Sequence, residues 1–107
     1  MTVKEIFEER IPNGIKEDPD KAKAINAIYQ FKVTGDEACD YYVDLTADPP
    51  AVAEGVNEGA KCTITVGDAD FIDVVTGKLN AQMAFMSGKL KIAGDMSLAM
   101  KLGTVLK

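Results

Sequence analysis

In the last fifth of the chain, hydrophobic residues first recur at every second position, as in a strand, and then at the spacing of a helix. Residues 89–92 alternate lysine with an aliphatic side chain, which is typical of a half-buried β-strand. Gly94 then breaks the strand, and Asp95 is a favourable N-cap whose carboxylate suits the positive end of a helix. The residues from Met96 to Leu106 are spaced as in a helix and leave little polar surface. We therefore predict a strand and a closing helix that lies on a sheet or lines a cavity.

The length of 107 residues is enough for one domain with a single core and too short for two, so residues 1–107 are predicted to be one domain. The net charge of −5 and the mixed charges predict no basic face for nucleic acid and no binding to anionic membranes by charge alone. The chain has no histidine, which excludes the commonest general base and imidazole zinc sites. Cys39 and Cys62 are expected to be small buried thiols in a reducing compartment.

The N-terminal segment is predicted to form an amphipathic helix from Thr2 to the turn Pro12-Asn13-Gly14. Two roles are open for its apolar stripe: packing on a sheet, or binding at a membrane interface. Packing is favoured because the polar face of this helix is acidic rather than basic. No signal peptide or membrane-spanning run is recognisable, so the chain is predicted to be cytoplasmic. The stripe consists of Val3, Ile6, Phe7 and Ile11.

Alternating apolar and polar residues predict the strands of the central part. Residues 29–34 and 41–46 alternate on either side of a Gly35 turn, which indicates a β-hairpin. Residues 61–66 form a further strong strand pattern, and residues 51–55 a weak one. Helical patterns follow these strands, so the fold class is predicted to be α+β, with helices covering one face of a sheet.

Acidic residues offer two candidate sites, and neither is favoured. Asp68, Asp70 and Asp73 lack the glycine and glutamate positions of an EF-hand loop, and a carboxylate-rich helix N-terminus accounts for them. Asp44 could act as a base on an apolar substrate if it lay in an apolar site. It falls on the outward row of its strand, so a solvated or salt-bridged carboxylate is the favoured interpretation.

Methionines are concentrated near the end of the chain and allow two interpretations. One is a core with methionine as filler, and the other is a cavity wall that repacks around ligands of different shapes. The composition does not separate them. The residues are Met83, Met86, Met96 and Met100.

The C-terminal third closely resembles the signature of the sterol carrier protein-2 (SCP2) domain, also called nonspecific lipid-transfer protein, in the residues FMSGKLKIAGDMSLAMKL at positions 85–102. Residues 60–66, 68–71 and 76–82 and the hairpin are similar to the same family. The resemblance implies an SCP2-like α+β fold, with a five-stranded sheet, helices covering one face, and a hydrophobic tunnel between them. It also implies non-catalytic binding and transfer of fatty acids, fatty acyl-CoAs, phospholipids or sterols, with no cofactor and no metal.

The resemblance nominates lipid-binding residues by position, and the hydrophobic pattern turns most of them inward. The nominated residues are Phe31, Tyr41, Val43, Leu45, Ile64, Val66, Phe71, Val74, Met83, Phe85, Met86, Leu90, Ile92, Met96 and Met100.

Three roles stay open at this point. The chain is either a stand-alone lipid carrier or a module that presents acyl substrates to a separate lipid-metabolising enzyme; a small enzyme using Asp44 or a tyrosine is the least favoured. The expected partners are a lipid ligand, at most a transient membrane contact, and no nucleic acid. The ending Val105-Leu106-Lys107 differs from the Ser-Lys-Leu-like tripeptide of peroxisomal members, which favours the cytoplasm.

Overall fold

The computed structural model describes residues 2–17, 19–47 and 50–101. Five strands lie in this part of the chain: β1 Ile28–Thr34, β2 Cys39–Asp44, β3 Ala51–Glu54, β4 Cys62–Gly67 and β5 Leu90–Gly94. The α-helices of the same residues are α1 Val3–Glu5, α2 Ile11–Glu17, α3 Pro19–Ile25, α4 Asp68–Val75, α5 Ala81–Met86 and α6 Met96–Met100. A π-helix, Ile6–Arg10, joins α1 to α2.

The strands form one mixed sheet in the order β3-β2-β1-β4-β5. The predicted hairpin is β1 and β2, and β3 extends it as a third antiparallel strand. β4 pairs with β5 antiparallel and with β1 parallel. The parallel pair joins two antiparallel units at the centre of the sheet, which confirms the predicted α+β class and the five strands.

The helix predicted to end at Pro12-Asn13-Gly14 instead continues to Glu17, so that boundary was wrong. Proline inside a helix removes one backbone hydrogen bond and clashes with the carbonyl four residues before it. The turn before Pro12 is a π-helix, in which the Ile11 N–H donates to the Ile6 carbonyl five residues earlier. This wider turn accompanies the proline within a continuous helical segment. Thr2, at the predicted start of this helix, is its N-cap, because Thr2 Oγ1 accepts the Glu5 N–H at 3.2 Å.

The hairpin turn is fastened to the start of α4 by Asp68. Gly35 has a φ of +104°, and the Asp68 carboxylate accepts the Glu37 backbone N–H at 3.0 Å and the Ala69 N–H at 2.7 Å. These backbone N–H groups, the one of Glu37 first, hold the pKa of Asp68 below its ordinary value. The carboxylate that suggested a calcium loop therefore has a structural role in joining β1, β2 and α4.

The opposite face of the sheet carries a buried polar side chain, that of Gln30. Gln30 is 2% exposed, and its amide nitrogen donates to the carbonyls of Tyr41 and Gly55, each at 3.0 Å. Its amide oxygen accepts the Asn57 N–H at 2.7 Å. The loop after β3 is thus held across this face by a satisfied amide, as burial of a polar group requires.

Candidate functional site

The inner face of the sheet consists of cross-strand rows of apolar side chains. Because side chains alternate along each strand, residues paired across neighbouring strands point to the same face. One row runs through Tyr41, Phe31, Ile64 and Ile92 on four consecutive strands. The rows on either side of it are Val43, Tyr29 and Cys62, and Val33, Val66 and Leu90. The register therefore places most of the nominated sheet residues on one continuous apolar surface.

The N-terminal π-helix covers the middle of this surface with Phe7, which is 0% exposed. Its ring stacks on Tyr41 with centroids 4.3 Å apart and on Phe71 of α4 with centroids 5.1 Å apart. It also meets Phe31 edge-on at 5.3 Å. Offset-stacked and edge-to-face aromatic contacts contribute beyond the area that they bury. Three of the four rings in this cluster were nominated as lipid-binding residues, and Phe7 was not.

Helix α6 is attached to the sheet by a hydrogen bond from Tyr29. The Tyr29 hydroxyl donates to the Leu98 carbonyl at 2.7 Å, and the Lys101 N–H donates to the same oxygen at 3.1 Å. Burial, followed by the nearby Cys62 and Asp95, raises the pKa of Tyr29 well above its ordinary value. The phenol therefore stays protonated, and remains a donor, over the whole physiological pH range.

Replacing Tyr29 with phenylalanine should loosen α6. The Leu98 carbonyl would keep its bond from Lys101 but lose the phenol, so we expect about 1 kcal/mol of lost stability. Relative to the wild type, amide hydrogen exchange should increase more in α6 than in β1 or β4. The control is Tyr42→Phe, a half-buried tyrosine on the outer face of β2, which should change neither quantity. Equal effects of the two substitutions would contradict the role of the Tyr29 hydroxyl.

The nominated residues fall into three groups. Val74 and Ile92 are half-buried, and the side chain of Met100 lies outside the described part, as does the stretch of the predicted closing helix beyond Lys101. The fully buried group is Phe31, Tyr41, Val43, Leu45, Ile64, Val66, Phe71 and Leu90. The exposed group, with its exposed fractions, is Met83 (66%), Phe85 (37%), Met86 (79%) and Met96 (46%).

The exposed group was expected to point inward, and that expectation was wrong. The shortness of α5 explains the exposure of those members that lie on this helix. Asn80 caps this six-residue helix by accepting the N–H groups of Gln82 and Met83. A helix of fewer than two turns can pack only a few side chains against the sheet and neighbouring helices. In α5 that contact is made by Ala84, which is 0% exposed, and the methionines three residues apart share the solvent side.

Two aromatic residues of the described apolar interior were not nominated. Phe7 belonged to the predicted amphipathic stripe, but helical spacing does not say which part of a sheet a stripe covers. Tyr29 alternates with Phe31 and could have been found from that pattern alone. Its hydroxyl bond to α6 depends on a residue distant in sequence, for which the chain has no local signal.

Asp44 lies on the outer row of β2, as predicted. One of its carboxylate oxygens accepts the Thr46 hydroxyl, the Thr46 N–H at 2.8 Å and the Ala47 N–H at 3.2 Å. These bonds, the Thr46 hydroxyl first, hold the pKa of Asp44 below its ordinary value although partial burial acts the other way. A carboxylate with a lowered pKa is a weak base at neutral pH, which argues against proton transfer by Asp44.

Other chemistry-bearing groups are sparse in the described ranges. Cys39 and Cys62 are both free thiols, half-buried and buried respectively, and burial is the main cause of the raised pKa of each. Among residues 2–17, 19–47 and 50–101, no three acidic or cysteine side chains are placed to hold a metal ion together. No helix of that same part is both long and apolar enough to cross a bilayer.

Comparison with known proteins identifies sequence relatives. The sequence profile of the SCP-2 sterol transfer family matches residues 7–107. Sterol carrier protein 2 from Homo sapiens is 41% identical over 101 residues, which cover 91% of this chain and 18% of that protein. Peroxisomal multifunctional enzyme A from Dictyostelium discoideum is 44% identical over 87 residues, which cover 79% of this chain and 20% of that protein. The chain thus spans about a fifth of the length of the curated relatives it matches.

Solved structures agree with the architecture. The solution structure of palmitated SCP2L2 from Aedes aegypti has a TM-score of 0.77 at 31% identity, and the match covers 99% of this chain and 95% of that one. The apo form of sterol carrier protein 2 from Yarrowia lipolytica has a TM-score of 0.74 at 30% identity, covering 96% and 82% respectively. These similarities support the five-stranded sheet and its helices over nearly the whole chain.

Proposed function

Since the chain belongs to the SCP-2 sterol transfer family, we propose that it binds and transfers lipids without covalent chemistry. The site is the apolar interior between the sheet and helices α4, α5 and α6, in the form of a tunnel lined by the nominated residues. Fatty acids and fatty acyl-CoAs are the proposed ligands, and phospholipids and sterols are the wider class.

The observation that carries this proposal is the uneven closure of the apolar interior. On the N-terminal side the stripe of Val3, Ile6, Phe7 and Ile11 is at most 1% exposed. On the other side, α5 contacts β5 and α4, and α6 contacts β4 and β5. There the apolar row of the sheet reaches half-buried Ile92, and α5 and α6 carry the exposed methionines. The apolar side chains are therefore covered on the N-terminal side and partly exposed beside β5, and we call this second side the open end.

A bound acyl chain would cover apolar surface at the open end. Removing apolar surface from water contributes about 25 cal/mol per Å². A contiguous patch of large apolar side chains on a monomeric surface often marks a ligand or partner site. An alkyl chain that enters beside Ile92 would gain from these side chains and from the rows behind them. Release would then require α6 to move away, which the Tyr29 bond opposes.

The relatives give independent support for a fatty acid. The Aedes aegypti protein is described as palmitated, and its backbone matches nearly the whole of this chain. A C16 acyl chain is therefore our first candidate ligand. The cytoplasmic location stays a prediction.

Ile92→Gln is the variant that tests the site. We expect native mass spectrometry of the natively purified protein to detect a retained lipid, and a fluorescent fatty acid to bind in a saturable way. The amide would meet the alkyl chain without a hydrogen-bond partner, so the affinity should fall at least about tenfold. Displacement of the fluorescent fatty acid by palmitate measures this change.

Ala93→Gln is the matched control for Ile92→Gln. Ala93 is the next residue of β5 and lies exposed on the opposite face of the sheet, so its replacement should leave the affinity unchanged. Thermal unfolding of both variants checks that the sheet is intact. Absence of any fatty-acid uptake by the wild-type protein would overturn the proposed function.

A second candidate function is that of a module presenting acyl substrates to an enzyme. It is favoured by the small share of the relatives that the chain covers, and by a relative named as a multifunctional enzyme. Binding of the ligand is common to both functions. Stoichiometric capture of a lipid-metabolising enzyme by the tagged chain would favour the module over free transport.

A further inference from the structure

The net charge of −5 conceals an uneven distribution along the chain. Residues 1–73 contain sixteen acidic and seven basic residues, whereas residues 74–107 contain five lysines and a single acidic residue, Asp95. The last third of the chain is therefore basic although the whole protein is acidic. Acidic and basic residues are mixed in residues 1–73 only, so the argument against anionic partners applies to that part of the chain.

Most of the large exposed apolar side chains lie in the same basic part. Met83 and Met86 are three residues apart on α5 and share one side of this helix. Met96, 46% exposed, follows on α6, and both helices contact β5. We call Met83 and Met86, together with Lys78 and Lys89, the α5 face. Val56, far from this face in sequence, is the other large hydrophobic side chain that is strongly exposed among the described residues.

Lys78 and Lys89 flank α5 symmetrically. Lys78 precedes the first residue of the helix by three positions, and its N–H donates to the Asp73 carbonyl at 2.8 Å. Lys89 follows the last residue by three positions, and its N–H donates to the Ala84 carbonyl at 2.9 Å. These bonds hold both backbones close to a helix about 9 Å long. Both side chains are exposed, and neither has an acidic partner within 4.0 Å among residues 2–17, 19–47 and 50–101.

We propose that the α5 face docks the protein on an anionic lipid bilayer, with the methionines entering the interface and the two lysines contacting the headgroups. Apolar side chains ringed by lysine are the combination that binds at a charged membrane surface. The N-terminal stripe is buried in the core and its polar face is acidic, so it is unsuited to this role. This docking does not depend on the interior holding a lipid, although it would place the open end of the interior against the membrane.

Vesicle co-sedimentation of the full chain tests the proposal. The probe is a vesicle of phosphatidylcholine with roughly one third phosphatidylglycerol, compared with phosphatidylcholine alone. We expect binding to the first that weakens with added salt, and little binding to the second. Lys78→Gln with Lys89→Gln should weaken binding about 25-fold, at about fivefold for each lysine. Met86→Gln should weaken it about tenfold, because one apolar side chain no longer enters the interface.

Two control variants separate the α5 face from general effects. Lys16→Gln with Lys32→Gln removes the same charge from exposed positions elsewhere, and Val56→Gln removes an apolar side chain of comparable exposure. Both should retain wild-type vesicle binding. Equal losses in the controls and the α5 variants, or no binding to the anionic vesicles, would overturn the proposal.

Two further measurements identify other occupants and separate this proposal from the proposed function. A dimer in sedimentation without vesicles, abolished by Met86→Gln, would mean that a second copy covers the α5 face, and would also overturn the proposal. Fatty-acid uptake is measured without vesicles, and the double lysine variant should retain it. If the wild-type protein binds anionic vesicles but takes up no fatty acid, only the proposed function is overturned. If it takes up fatty acid but does not bind the vesicles, only the docking proposal is overturned.

Discussion

Replacing Phe7 with alanine is expected to destabilise the protein by about 3–5 kcal/mol. The ring is fully buried and contacts three other aromatic rings from β1, β2 and α4, so its removal would leave a cavity that these rigid neighbours cannot fill. A domain of this size is usually stable by about 5–15 kcal/mol, so the loss is a large share of the total. Equilibrium unfolding in urea at neutral pH measures it.

Phe85→Ala is the matched control for Phe7→Ala. The same atoms are removed from a ring that is 37% exposed at the end of α5, so less than half of the effect is expected. Phe7→Leu should recover most of the lost stability, since it keeps most of the buried apolar volume. A cost below about 1 kcal/mol for Phe7→Ala would contradict the central position given to this ring.

Gly94→Ala is expected to cost about 3 kcal/mol or more, from two independent causes. Gly94 has a φ of +99°, which residues with a Cβ rarely adopt. A Cβ at this position would clash with the Lys61 carbonyl oxygen, which is backbone and cannot rotate away. The same oxygen accepts the Asp95 N–H at 2.9 Å, so a shift would also disturb the start of α6.

Gly77→Ala separates these two causes. Gly77 has a φ of +85°, but apart from its two chain neighbours no residue in the described part of the chain comes within 4 Å of the point that a Cβ would occupy. Alanine at this position therefore meets the conformational penalty alone, about 1 kcal/mol. Unfolding of both variants in urea gives the difference. If the two substitutions cost the same, the close approach of β5 to Lys61 has no energetic importance.

Local pattern was sufficient for most of the fold. Alternation identified the hairpin and β4, and the Asp95 cap was recognisable because its bond to the Ser97 N–H is made within two residues. The family resemblance supplied the number of strands. The end of the first helix was mispredicted because Pro12 and Gly14 are usually terminators, whereas a wider turn accommodates the proline here.

The candidate site was predictable where the sheet forms it and not where the helices do. A strand has two faces, so Phe31 or Ile64 can only point in or out, and alternation decides between them. An apolar side chain on a short helix can point in many directions around the helix axis. The surface on which that helix packs is determined by residues distant in sequence. This is why Met83, Met86 and Met96 were expected inside and are found at the surface.

The parallel pairing of β1 with β4 has a consequence for how the chain folds. The β1-β2-β3 unit and the β4-β5 unit are each built from antiparallel pairings, whereas their junction aligns Tyr29 with Cys62. Contacts between residues distant in sequence form late, because the entropy of closing a long loop is lost before the contact is gained. The central apolar row crosses this junction, so neither unit can complete it alone. The last step of folding should therefore be the joining of two preformed halves, and the apolar interior proposed to bind lipid should form only then.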